Sequence, residues 1–255
     1  MSQIDALWDF NDPETSESRF REALAAAEGD QRIEIATQVA RALGLQGKFA
    51  EGHSVLDTLP ALDGGRTAAR VALERGRLFN SAGDREQATK CFAQAAELAS
   101  AAGEYGLELD AIHMLAIADP TKSEEWTLAG LARIEETGDP DATRWTGPLL
   151  NNLGWALFDA GRLEEARDRF QQSGEFYRAS GKAGQVAIAR WSEARCLREE
   201  GQIQTALVIQ LDLAETNPEP DPYVFDELAT LFALVGDQES ADYWRSLADN
   251  PDLSR

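Results

Sequence analysis

A short punctuation recurs along the chain between segments of helical periodicity: Gly47-Lys48-Phe49, Gly83-Asp84-Arg85, Gly161-Arg162-Leu163, Gly201-Gln202-Ile203 and Gly236-Asp237-Gln238. Recurrence at a near-constant period constrains a fold more than any single segment does, because each unit must then bury its apolar face against its neighbours. Each glycine reads as the turn inside a helical hairpin. Seven residues before each stands a small residue: Ala40, Gly76, Gly154, Ala194 and Ala229. Four before stand Leu43, Phe79, Leu157, Leu197 and Phe232, and five after stand Gly52, Ala88, Ala166, Ala206 and Ala241. Large and small positions thus alternate in register, as two helices crossing closely would require.

This register resembles the tetratricopeptide repeat family. Leu153-Gly154, Leu157 and Ala166-x-x-x-Phe170 follow its pattern closely, and Gly76, Phe79, Ala88 and Phe92 nearly as well. The repeats containing Gly47, Gly201 and Gly236 depart at the second-helix aromatic, where Leu56, Gln210 and Arg245 stand. Between Gly83 and Gly161 the gap is about twice the repeat length. Glu104 to Ala118 and Ser123 to Glu136 supply a hairpin there, turned by Asp119-Pro120-Thr121-Lys122. The resemblance implies an all-α solenoid of stacked antiparallel hairpins, a right-handed superhelix with essentially no β-sheet. About six hairpins are expected over residues 31–250 of a single solenoid, after a capping helix within residues 1–30 and before a tail at 251–255. Asp12 is placed to cap that first helix, with Pro13 in its first turn, where a missing N–H costs nothing. The segments Asn151-Asn152-Leu153-Gly154-Trp155, Ala189-Arg190-Trp191 and Asp221-Pro222-Tyr223-Val224-Phe225 also resemble bacterial tetratricopeptide repeat proteins, a likeness that names a fold and not a function.

Composition narrows the function. A net charge of -21 opposes binding to DNA, RNA or anionic lipid, so neither nucleic acid nor membrane is an expected partner. No run approaches the roughly 20 apolar residues of a membrane helix, and the start of the chain lacks a secretory pattern, so a cytoplasmic location is the default expectation. The histidines, His53 and His113, fall in different hairpins, Cys91 and Cys196 lack metal or redox spacing and read as buried thiols, and no phosphate loop or nucleophile elbow occurs. The expectation is a non-catalytic protein without cofactor or metal. Acidic pairs such as Glu164-Glu165 read as solvated surface.

In the resembling family the first helix of each hairpin lines a concave surface. Ten, six and three residues before each turn glycine share a helix face there. They are Thr37, Arg41 and Gly44; Leu73, Arg77 and Asn80; Asn151, Trp155 and Phe158; Trp191, Arg195 and Arg198; and Asp226, Thr230 and Ala233. Aligning the proline-turned hairpin adds His113 and Ile117, with Asp110 nearby. Arginines that can fork onto carboxylates, tryptophans and asparagine amides together suit a peptide, and an acidic one best. The expected ligand contacts are therefore Asn151, Asn152, Trp155, Phe158, Trp191, Arg195, Arg198, Arg77, Arg41 and His113. Asn152 sits where some family members use an asparagine to grip a chain-terminal carboxylate, but no lysine accompanies it here. A second reading stands beside the first: the aromatics pack between hairpins, and the arginines pair with Glu74, Glu193 or Glu227. Arg190 reads as core-facing and internally paired, and Trp126, Trp145 and Trp244 as space-filling. Trp8 with Phe10 is expected to cover the apolar end of the first helices. The functions that follow are a protein or peptide scaffold, or a regulatory sensor of a short signalling peptide or small molecule acting through a partner protein.

Overall fold

The computed structural model describes residues 4–250, so the tail expected at 251–255 lies outside the described residues. Every regular element among the described residues is helical. The chain divides into two compact units, Met1–Trp145 and Thr146–Arg255. No helix among the described residues is long and apolar enough to cross a membrane.

The first unit opens with a 3-10 turn, Asp5–Leu7, and α1, Pro13–Ala26. The Asp12 carboxylate accepts from the Thr15 backbone N–H, satisfying a donor that the helix itself leaves unpaired. Then come α2 (Gly29–Leu45) with α3 (Phe49–Asp57), α4 (Gly65–Ser81) with α5 (Arg85–Ala101), and α6 (Tyr105–Ala118) with α7 (Ser123–Thr137). A short α8, Pro140–Thr143, closes the unit. Each of these pairs is an antiparallel hairpin, and α2, α4 and α6 pack in succession. Trp8 stacks on Phe10 at 4.7 Å and meets the buried Phe20 edge-on, so it covers the α1/α2 end of the unit.

The second unit holds α9 (Thr146–Asp159) with α10 (Leu163–Ala179), α11 (Ala183–Glu199) with α12 (Ile203–Thr216), and α13 (Pro222–Leu234) with α14 (Gln238–Asp249). At the α9 end, Gly161 has φ +75°, a left-handed conformation that glycine adopts without strain. Its N–H reaches Phe158 O, and that of Arg162 reaches Leu157 O, which ends the helix and reverses the chain.

The small residues of the register mark the closest approaches. Phe92 lies fully buried against Gly76, and Phe170 against Gly154. Burying one such ring contributes about 1.5–3 kcal/mol. Leu56 and Gln210 occupy the equivalent positions and are also buried, whereas Arg245 is exposed and the last hairpin packs through Leu247 and Trp244. Gln210 therefore sits in an apolar slot, and neither its Oε1 nor its Nε2 has a hydrogen-bond partner.

Candidate functional site

Seven of the ten expected contact residues belong to the second unit. Asn151, Asn152, Trp155 and Phe158 lie on α9, and Trp191, Arg195 and Arg198 on α11; all are half-buried. Because α9, α11 and α13 are the first helices of consecutive hairpins, their equivalent positions come side by side. The Trp155 ring lies 5.3 Å from Phe158 and 6.0 Å from Trp191, and Trp191 lies 6.3 Å from Tyr223. An aromatic ladder thus crosses three helices. It is pinned below by Phe170, edge-on to Trp155 at 5.1 Å, and at its end by Trp191 Nε1, which donates to the Tyr223 carbonyl at 3.2 Å.

Arg195 sits on this ladder. Its guanidinium carbon lies 5.6 Å from Trp155, 5.7 Å from Phe158 and 5.1 Å from Trp191. Cation–π contacts hold it in place. Its buried Nε has no hydrogen-bond partner, and among the described residues no carboxylate lies within ion-pair distance. Arg198, one turn further on, is committed differently. Its Nη2 is 3.1 Å from Glu199 and its Nε 2.9 Å from Glu227, close enough to pair but off the hydrogen-bond line. Burial raises the Glu227 carboxyl above its ordinary pKa, against the pull of Arg198 and then Arg195.

Arg41, Arg77 and His113 belong to the first unit. Arg77 Nη1 bonds Glu74 at 2.6 Å, and its Nη2 bonds Asp110 on α6 at 2.5 Å, so its guanidinium is held within the fold. Burial works against the charge of Asp110, but Arg77 and then Arg41 hold its carboxyl below the usual carboxylate range. Arg41 lies 5.6 Å from the rings of both Trp8 and Phe10. His113 tilts against Trp145 at 5.4 Å, and burial lowers its pKa, keeping the ring neutral at pH 7. Arg190 pairs with Asp212 at 2.6 Å, whereas Glu193 accepts from Gln171 rather than from an arginine. Cys196 is buried and Cys91 half-buried. Among the described residues no group of three His, Cys, Asp or Glu could hold a metal ion.

Two residues of these surfaces escaped the register used above: Tyr223, 73% exposed, and Arg70 on α4. Both stand thirteen residues before a turn glycine, Gly236 and Gly83 respectively, one helical turn beyond the last position counted. The same step lands on Glu34 and Ile188, so the signal was present in the spacing.

No protein-family model matches the chain, and no curated protein matches it. Solved structures do. A signal-transduction ATPase with numerous domains and a tetratricopeptide repeat sensor, from Pyrococcus horikoshii, is similar over 93% of this chain and 38% of its own, at 13% identity and a TM-score of 0.70. NprR, in complex with its cognate peptide NprX, is similar over 96% of this chain and 75% of its own, at 15% identity and a TM-score of 0.64. A tetratricopeptide repeat protein from Parabacteroides merdae is similar over 98% and 94%, at 15% identity and a TM-score of 0.59. The chain spans well under half the length of the first of these. Helical hairpins, turn glycines and these likenesses together give the chain the tetratricopeptide-repeat fold.

Proposed function

We propose that the protein binds an extended, acidic peptide segment on the α9–α11–α13 face of its second unit and does so without catalysis. The observation that carries this reading is Arg195, a half-buried cation fixed by three aromatic rings and left without a carboxylate. Desolvated guanidinium is costly unless an anion completes it. A peptide carboxylate would supply that partner, while Trp155, Trp191 and Tyr223 offer apolar area and the Asn151 amide offers hydrogen bonds to an extended backbone. NprR, whose structure holds its cognate peptide, is in keeping with this reading through the fold alone. A role as a scaffold that recruits such a segment follows directly.

The test is selection from a displayed random-peptide library, followed by titration of enriched peptides. Enriched sequences should be acidic, and Trp191→Ala and Arg195→Ala should each weaken them at least roughly tenfold without altering the circular dichroism spectrum. Raised salt should weaken them further. Enriched peptides that bind both variants as tightly as the parent protein would remove this face from consideration.

A further inference from the structure

The first unit contains a cleft of about 860 Å³. It opens between α2, α4 and α6, and Trp8, Phe10, Tyr105 and Trp145 are among the residues that line it. Its volume falls in the range of about 300–1,000 Å³ that small-molecule sites occupy. Such sites pair apolar walls with a few convergent polar groups, so the disposition of the charges decides what this one can hold.

Five arginines line the cleft, and three are accounted for. Arg66 is held between Glu34, at 2.5 Å, and Glu104. Arg77 is held between Glu74 and Asp110. Arg144 lies within 3.9 Å of Asp141. Arg41 and Arg70 remain, and among the described residues neither has a carboxylate within ion-pair distance. Arg41 instead lies beside the stacked Trp8 and Phe10 rings, 5.6 Å from the centre of each. Both arginines act on Asp110, whose carboxylate is already taken by Arg77, so three cations face two buried carboxylates, Glu74 and Asp110.

A shortage of acid does not explain this. The chain has 45 acidic residues against 24 basic ones, yet among the described residues none of these carboxylates stands within ion-pair distance of Arg41 or Arg70. Two uncommitted guanidinia in a concave, aromatic-walled site match the geometry by which arginine forks onto an oxyanion. Burial, and next the charge of Arg77, lower the Arg41 pKa from its ordinary value, and an anion brought beside it would offset both.

We propose that this cleft is a binding site for a small organic oxyanion, a carboxylate or phosphate group borne on an unsaturated body, with Arg41 and Arg70 receiving the oxyanion and the Trp8 and Trp145 rings receiving the body. The site lies within the first unit and stands independently of the peptide face of the second.

Calorimetric titration of the full chain at low salt tests it, with phenyl phosphate, phenylacetate and the neutral isostere 2-phenylethanol as probes. A fourth probe, a tetrapeptide acetyl-Ala-Ala-Ala-Phe with a free carboxylate, separates a small molecule from a peptide terminus as the source of the anion. At least one of the two small anions should bind with Kd below about 1 mM. Arg41→Gln and Arg70→Gln should each weaken it roughly tenfold or more, whereas Trp191→Ala leaves it unchanged. Arg70 makes no ion pair, so Arg70→Gln decides the matter even if Arg41→Gln fails to fold. No saturable binding of either small anion, equal binding of the neutral alcohol, binding of the tetrapeptide alone, or unaltered affinity in folded Arg70→Gln would each overturn the proposal.

Discussion

Gly154 offers the most direct test of how the hairpins hold together. A Cβ built there would stand 2.4, 2.7 and 2.8 Å from three carbons of the Phe170 ring, where ordinary contact is 3.4–4 Å. The ring is fully buried and already in contact with Trp155, so it cannot turn aside, and α9 and α10 must separate by about 1 Å. Gly154→Ala gains about 1 kcal/mol in helix propensity. Overpacking costs typically about 1–3 kcal/mol, and loosening the ring forfeits part of the roughly 1.5–3 kcal/mol from its burial. The expected net loss is about 1–3 kcal/mol. Urea unfolding followed by circular dichroism measures it, read as a lower midpoint at unchanged slope. Gly184, on α11 with nothing within 4 Å of a built Cβ, is the internal control, and Gly184→Ala should be neutral or stabilising by up to about 1 kcal/mol. Combining Gly154→Ala with Phe170→Leu should restore part of the loss, giving a coupling of about 1 kcal/mol. Gly154→Ala as stable as Gly184→Ala would show that the close crossing does not carry the hairpin.

Gln210→Met should stabilise by about 1 kcal/mol in the same urea assay, because it removes two unpartnered polar atoms from an apolar slot without changing volume much. Asp110→Asn should destabilise by about 3 kcal/mol at pH 7, since it strips a buried charged partner from half-buried Arg77. The Asp110 pKa is lowered in the fold, so its contribution is present above the unfolded pKa and lost as pH falls through the folded value. The parent protein should therefore lose stability more steeply below about pH 4 than the variant does, in midpoints measured from pH 5 to pH 2. Both histidines are lowered, chiefly by burial, so the unfolded chain takes up protons first as pH falls. Stability should decline below about pH 6.5, and His53→Gln with His113→Gln should flatten that slope. Burial pushes the Cys196 thiol up to about 12, and Ellman's reagent at pH 8 should modify it only after denaturant is added.

What was legible in the sequence was whatever one hairpin decides by itself. The small residue seven before each turn glycine is dictated by the partner helix of the same hairpin, and Gly76 and Gly154 duly receive Phe92 and Phe170. Glu74, Glu193 and Glu227 were legible as a pool of carboxylates for the groove arginines, and of these Glu74 meets Arg77 and Glu227 meets Arg198, whereas Glu193 meets Gln171 instead. Asp110 was placed near the groove, but its bond to Arg77 depends on the rotation of α6 against α4, which no periodicity in either helix fixes. The Trp155–Trp191–Tyr223 ladder was half legible. Two rungs fell on the counted register, and the third lay one turn before it on a helix that starts at Pro222.

The arginines carry the remaining information, and they do so because the chain is acidic. In a protein with balanced charge, an arginine without a carboxylate means little. Here nearly two acidic residues exist for every basic one, and Arg66, Arg77, Arg133 and Arg198 each approach two carboxylates. Against that background, Arg41 and Arg195 are set apart against aromatic rings, half-buried and without an anion. An aromatic face holds a guanidinium in position through its ring quadrupole while leaving its donors open, whereas a carboxylate would both hold and consume them. Each unit thus keeps one oriented cation available, in the cleft of the first and on the ladder of the second. The net charge of -21 repels an anion at long range, so in either place the attraction would be confined to contact between the anion and the local guanidinium.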